Sequence, residues 1–183
     1  MTTHAVLIPQ SLFATNVDSL NRSAIYPGGT LDNGFIVALL SKSTTAGESE
    51  VWTATVPATG SLTQLWMVYS GDEIPTTDSK YKGLDPDPRS FFIAANKVVS
   101  VYKPQVGDIV RLTAEAVAGT KGSNTFINAT DTTGGLQLYW GATKTSSVLS
   151  YQLLNDSQYI NIPSGAIGDT QRITAYEFQC VGV

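Results

Sequence analysis

Cysteine, histidine and charge are all scarce in this chain, and each scarcity removes a class of function. Cys180 is the only cysteine among 183 residues, which rules out an internal disulfide and a cysteine-based zinc site of the usual kind. Lying between Phe178 and Val181, it reads as a small core residue rather than a reactive thiol. His4 is likewise the only histidine. A Ser, His and acid triad needs its base beside its nucleophile, and a lone histidine next to the first residue is poorly placed for that. Charged residues make up 14% of the chain, against about 25% in an average soluble domain. The net charge is -4 and the eleven basic residues are scattered. Binding nucleic acid through counterion release needs several cations on one face, so no nucleic-acid partner is expected.

Long apolar runs are missing too. No stretch approaches the roughly 18 residues that a membrane-spanning helix needs, so no membrane partner is expected. Residues 1–4 carry no basic region, and the apolar run 5–8 is too short for a secretion signal. The expectation is synthesis in a host cytoplasm.

Carboxylates are present, but their setting argues against chemistry. Glu48, Glu50, Asp72, Glu73, Asp85, Asp87, Glu115 and Glu177 could in principle supply a glycosidase pair. Most of them fall in turns, where Asp is favoured for backbone reasons. The acids Asp72, Glu73, Asp78, Asp85 and Asp87 could bind calcium, yet they lack the ligand order of an EF-hand and read better as a solvated loop. Asn128-Ala129-Thr130 matches a glycosylation triplet, which carries no weight without a secretory signal. No catalytic residue, metal ligand or cofactor site is assigned.

What the chain does have is β patterning. Hydrophobic residues make up 42%, and the polar surface must come mainly from Thr, Ser, Asn, Gln and Gly. Such neutral groups lose less on leaving water than charges do, which suits a surface that packs against other proteins. No long amphipathic helix and no fixed repeat is visible.

Residues 1–30 show neither sustained alternation nor a helical stripe, and close on the turn signal Tyr26-Pro27-Gly28-Gly29. They read as an extended N-terminal arm. Its apolar residues Leu7, Ile8, Leu12, Phe13, Leu20 and Tyr26 are too many for a disordered tail, and are the candidate partner contacts. The alternative is that the arm crosses its own core.

From 31 to 183 short β segments alternate with turn signals, as expected of one antiparallel β-sandwich or barrel-like domain with long loops. Residues 34–40 and 62–69 read as strands covered on both faces. Trp52 and Trp66 are assigned to adjacent strands, both in the core. Residues 97–117 give the strongest hairpin signal, turning at 104–108, with Val110, Leu112, Ala114 and Ala116 on one face. The loop 70–89 is the candidate insertion or contact loop, and its two alternate prolines exclude a helix or central strand. Residues 119–135 read as a surface loop with a weak strand around Phe126, followed by strands near 136–140, 158–162 and 172–181. The part 119–183 could complete the domain or form a second small module. Trp140 reads as core rather than as an exposed sugar platform.

Part of this order has a family likeness. Asp32-Asn33-Gly34 precedes an apolar strand, then come Glu50-Val51-Trp52-Thr53-Ala54-Thr55, Leu65-Trp66-Met67-Val68-Tyr69-Ser70 and, after an acidic loop, Val106-Gly107-Asp108-Ile109-Val110-Arg111-Leu112-Thr113. This resembles the capsid decoration proteins, also called head auxiliary or cement proteins, of tailed bacteriophages. The likeness covers less than half of the chain. It implies a non-enzymatic virion protein, often trimeric, that sits on the capsid surface, binds the major capsid protein and stabilises the shell. A head-fibre, tail or receptor- or glycan-binding virion component is the alternative.

Overall fold

The computed structural model describes residues 3–12, 14–44, 50–58, 62, 64–70, 88–129, 135–163 and 170–183. The chain is all-β, as its patterning predicts. The first strand, β1 (Leu7–Ser11), is followed by β2 (Asn21–Ile25), β3 (Ile36–Lys42), β4 (Val51–Thr55), β5 (Leu65–Val68) and β6 (Val98–Tyr102). Then come β7 (Ile109–Thr113), β8 (Val117–Ala118), β9 (Phe126–Asn128), β10 (Leu138–Gly141), β11 (Ser150–Pro163) and β12 (Thr170–Gly182). Strands β2-β4-β3-β5-β6 close into a five-stranded barrel, and the other strands form a seven-stranded sheet in the order β1-β7-β12-β11-β9-β10-β8. Among the described residues all pairings are antiparallel except β2 with β4 and β8 with β10.

Two-residue periodicity explains how barrel and sheet share one chain. Val37, Val68, Val99 and Val101 point into the barrel with Ala24, Leu31, Ala54 and Ile93. Their neighbours Ile36, Leu65, Met67 and Tyr102 turn outward onto Val110, Leu112, Leu138, Tyr151 and Phe178 of the sheet. The continuous apolar reading of the segments that became β3 and β5 therefore reflects two cores, one on each face. Leu40 departs from it, being 65% exposed near the end of β3.

The proposed hairpin at 97–117 does not form. β6 pairs with β2 and β5 in the barrel, whereas β7 pairs with β1 and β12 in the sheet. The turn at 104–108 is a crossover between the two, closed by Gln105 N–H donating to Asp108 Oδ2 and Gly107 N–H donating to the Cys180 carbonyl. The alternation also stops early. After Thr113 the backbone takes a 3-10 turn over Ala114–Ala116, leaving Ala116 buried and Ala114 exposed.

Asp32-Asn33-Gly34 ties the start of the chain and Ser70 together. Asp32 accepts from His4 Nδ1 at 2.8 Å and from the Ala5 N–H at 3.0 Å, and Asn33 Oδ1 accepts from the Ser70 N–H at 2.8 Å. Gly34 follows with φ +88, a left-handed conformation that favours glycine.

The extended arm is not separate from the domain. Residues 1–30 supply β1 to the sheet and β2 to the barrel. The segment from 119 onward does not stand apart either. Strands β8 to β12 lie in the same sheet as β1 and β7, and Ile127, Leu138 and Tyr151 share a core with Ile36 and Met67. Trp52 and Trp66 lie on consecutive strands, β4 and β5, which flank β3 on opposite sides, and both pack half-buried on the barrel core. Trp140 does pack on the core, its ring centroid 5.3 Å from that of Tyr176 and 5.5 Å from that of Phe178.

Candidate interaction surface

The six apolar residues picked out in the arm are taken up mainly by this chain's own packing. Leu7 and Leu12 are buried between barrel and sheet, with Leu20 half-buried against them. Ile8 packs on a small third cluster of Val6, Ile160, Ile173 and Ala175, and Tyr26 on the barrel core. Phe13 lies outside the described residues. Among those described, none is fully exposed, because β1 and β2 are paired strands, as in the alternative that the arm crosses its own core.

The arm's start is fastened at several points. His4 N–H donates to the Arg89 carbonyl at 2.8 Å, the His4 ring lies 5.1 Å from that of Phe92, and Val6 N–H donates to Thr113 Oγ1 at 3.1 Å. Arg89 in turn reaches Gln171 Oε1 at 3.1 Å, tying the segment before β6 to β12.

The surface that remains for partners lies elsewhere. Leu40, Phe92, Val98, Val106, Leu154, Tyr159 and Val183 are large apolar side chains left exposed. Two of them belong to the ribbon made by β11 and β12. Only residues 150–152 of β11 pair with β9 and only 175–179 of β12 with β7, so the rest of the ribbon runs past the sheet. The five pairs from Tyr159 with Thr174 to Pro163 with Thr170 lie beyond it, and at roughly 3.3 Å per residue this projection is about 17 Å long. One of its faces buries Ile160, Ile173 and Ala175 against Val6, while the opposite face carries Tyr159, Asn161, Arg172 and Thr174, all exposed. The ribbon is legible in the sequence only as two separate short strands. Its length is masked there by irregular register around Asn155, where alternation slips.

A second surface lies at one end of the barrel. Arg22, Trp52 and Trp66 each stand two residues before a buried barrel residue, namely Ala24, Ala54 and Val68. The pairing makes β2, β4 and β5 run in the same direction, so the three starts meet at one end. Of the three, Arg22 and Trp66 are in contact: the Arg22 guanidinium lies 5.7 Å from the centre of the Trp66 ring, and its Nη1 donates to the carbonyls of Asp18 at 3.3 Å and Asn21 at 2.8 Å.

Tyr102 Oη donates to Met67 Sδ at 3.0 Å, and both Tyr102 and Tyr151 are fully buried with their hydroxyls pushed well above the usual tyrosine range by burial. Burial also pushes the Cys180 thiol up to about 12. Asn128, the acceptor of the glycosylation triplet, is buried and holds Thr143 and Thr145 through both ends of its amide. Among the described residues no three metal-ligating side chains converge. The acids of the 71–87 segment, proposed as a contact loop, lie outside the described residues.

Compared with protein-family models, with curated proteins and with solved structures, the chain finds no match.

Proposed function

We propose that this chain is a virion structural protein that binds the outer surface of a tailed-phage head, through the major capsid protein, and stabilises it without catalysis. The observation that carries the reading is the contrast between body and surface. The body is braced twice, by a closed barrel and by a seven-stranded sheet that share one core. Its surface, in contrast, exposes Leu40, Val98, Leu154 and Tyr159 in a chain with only 14% charged residues. A rigid body loses little conformational entropy on docking, and a surface poor in charge costs little to desolvate. Repetition over the symmetric copies of a shell makes modest single contacts effective, and a trimer would multiply them further.

Heads lacking the protein, heated in the presence and absence of the purified chain, test this reading. Release of DNA at a higher temperature when the chain is added supports it. An unchanged release temperature at saturating protein counts against it.

A further inference from the structure

We propose that Arg22 is a docking residue for a carboxylate at the open end of the barrel, and that the occupant is an Asp or Glu side chain of a protein partner. The inference rests on the shell-binding reading above and names where one contact is made.

The geometry of Arg22 prepares it for that role. Its Nη1 is taken by two backbone carbonyls and its plane is held near Trp66. Among the described residues Nε and Nη2 have no partner, and these two donors form the edge that grips a carboxylate with two parallel bonds. Asp18 meets Arg22 through its carbonyl and not its carboxylate. Lys103, half-buried just beyond β6 at the same end, has no carboxylate partner among the described residues either. Lys42, by contrast, is already paired with Glu50 at 3.0 Å. Arg22 is half-buried as a residue, its bond to Asp18 lies exposed, and no carboxylate among the described residues pairs with it, so an incoming carboxylate would find two donors open. Salt-bridge partners were available to the chain and are not used here.

The neighbours favour a protein over a sugar. Trp and Arg are the residue types most enriched at the energetic centres of protein interfaces. The cation beside Trp66 attracts an anion, whereas a neutral sugar would stack on an aromatic face.

The test follows the Trp66 indole N–H resonance, which every Arg22 variant retains, by NMR in the full chain. Acetyl-tetraglutamate amide, acetyl-tetraglutamine amide and a glucuronate-containing tetrasaccharide are added separately. A saturable shift with the glutamate peptide, absent with the glutamine peptide, is expected. R22Q should abolish it, and R22K should weaken binding about tenfold, because an ammonium cannot form the paired bonds. No shift with the glutamate peptide overturns the proposal, and tighter binding of the tetrasaccharide overturns the choice of occupant. If R22Q fails to fold, the wild-type titration and R22K decide. In parallel, R22Q is compared with wild type for co-sedimentation with undecorated heads, where a loss of at least about tenfold in affinity is expected. Equal binding by the two overturns this inference and leaves the shell-binding reading standing. If wild type itself does not bind, that reading falls, and the peptide titration still decides whether Arg22 takes a carboxylate.

Discussion

A Cβ atom placed on Gly34 would lie 2.7 Å from Cδ2 of Leu112, so the barrel meets the sheet at a point where only a hydrogen fits. Gly34 also holds φ +88. Gly34→Ala should therefore cost about 2–4 kcal/mol, from left-handed strain and overpacking together. Urea unfolding measures it. Leu112→Ala alone should cost about 2–5 kcal/mol through the cavity it leaves. The double variant should be less destabilised than the sum of the two, because each change relieves part of the other. Strict additivity would show that the two residues do not oppose each other across this contact.

Removing residues 1–27 should unfold the chain. Val6, Leu7 and Leu12 are buried, and at about 1.5–3 kcal/mol for each fully buried side chain they represent about 5–9 kcal/mol. That is comparable with the whole net stability of an ordinary domain, about 5–15 kcal/mol. Deletion also opens the barrel, since β2 joins β4 to β6. Far-ultraviolet circular dichroism and gel filtration of the truncated chain check this, and a cooperative, native-like β spectrum would contradict it.

Between the two readings of the arm, the structure has it cross its own core, and the reason the sequence leaves both open is physical. Alternation reports which face of a strand is buried, and β6 and β7 were legible for that reason, as were the doubly covered β3 and β5. It does not report which strand lies alongside. The Pro104 to Asp108 turn looks like a hairpin turn but carries the chain from barrel to sheet, because both edges of β6 are already filled by β2 and β5. The arm lacks a pattern of its own because its strands are short and interrupted by 3-10 turns at Ala14–Asn16 and Asp18–Leu20. The Asp32-Asn33-Gly34 motif was visible as turn chemistry, whereas its bonds to His4, Ala5 and Ser70 are long-range. The cation at the barrel end was not visible at all. Arg22 meets Trp66 across 44 positions of sequence, and no local signal links them.

Asp32→Ala should loosen the beginning of the chain without unfolding it. The substitution removes the acceptors of His4 Nδ1 and of the Ala5 N–H, at a cost of about 1–3 kcal/mol for buried donors left unpaired. Hydrogen exchange at Ala5 and Val6 should accelerate more than exchange at Leu112. Equal protection at Ala5 in the variant and the parent would show that the carboxylate does not hold this segment.

The buried hydroxyls set an alkaline limit. In the fold Tyr102 and Tyr151 are held above the ordinary tyrosine value by burial, with the charges of Asp108 and Cys180 acting in the same direction. A group raised in the folded state contributes stability that is complete below its unfolded value, near 10, and is lost as pH climbs from there toward the folded values. Of the eight tyrosines, these two should titrate only as the protein unfolds, seen as a delayed step in absorbance near 295 nm. Cys180, with its thiol raised to about 12, should resist thiol reagents at pH 8 until the same transition. Smooth titration of all eight tyrosines in a folded chain would contradict the buried assignment.

The central claim is that this chain binds a phage shell at defined positions. Its most direct test is co-sedimentation of the purified protein with undecorated heads over a range of protein and salt concentrations. The account predicts saturation at a fixed copy number per head, with modest sensitivity to salt because few charges are available to the contact. Binding that never saturates, or none at all to intact heads, would contradict it.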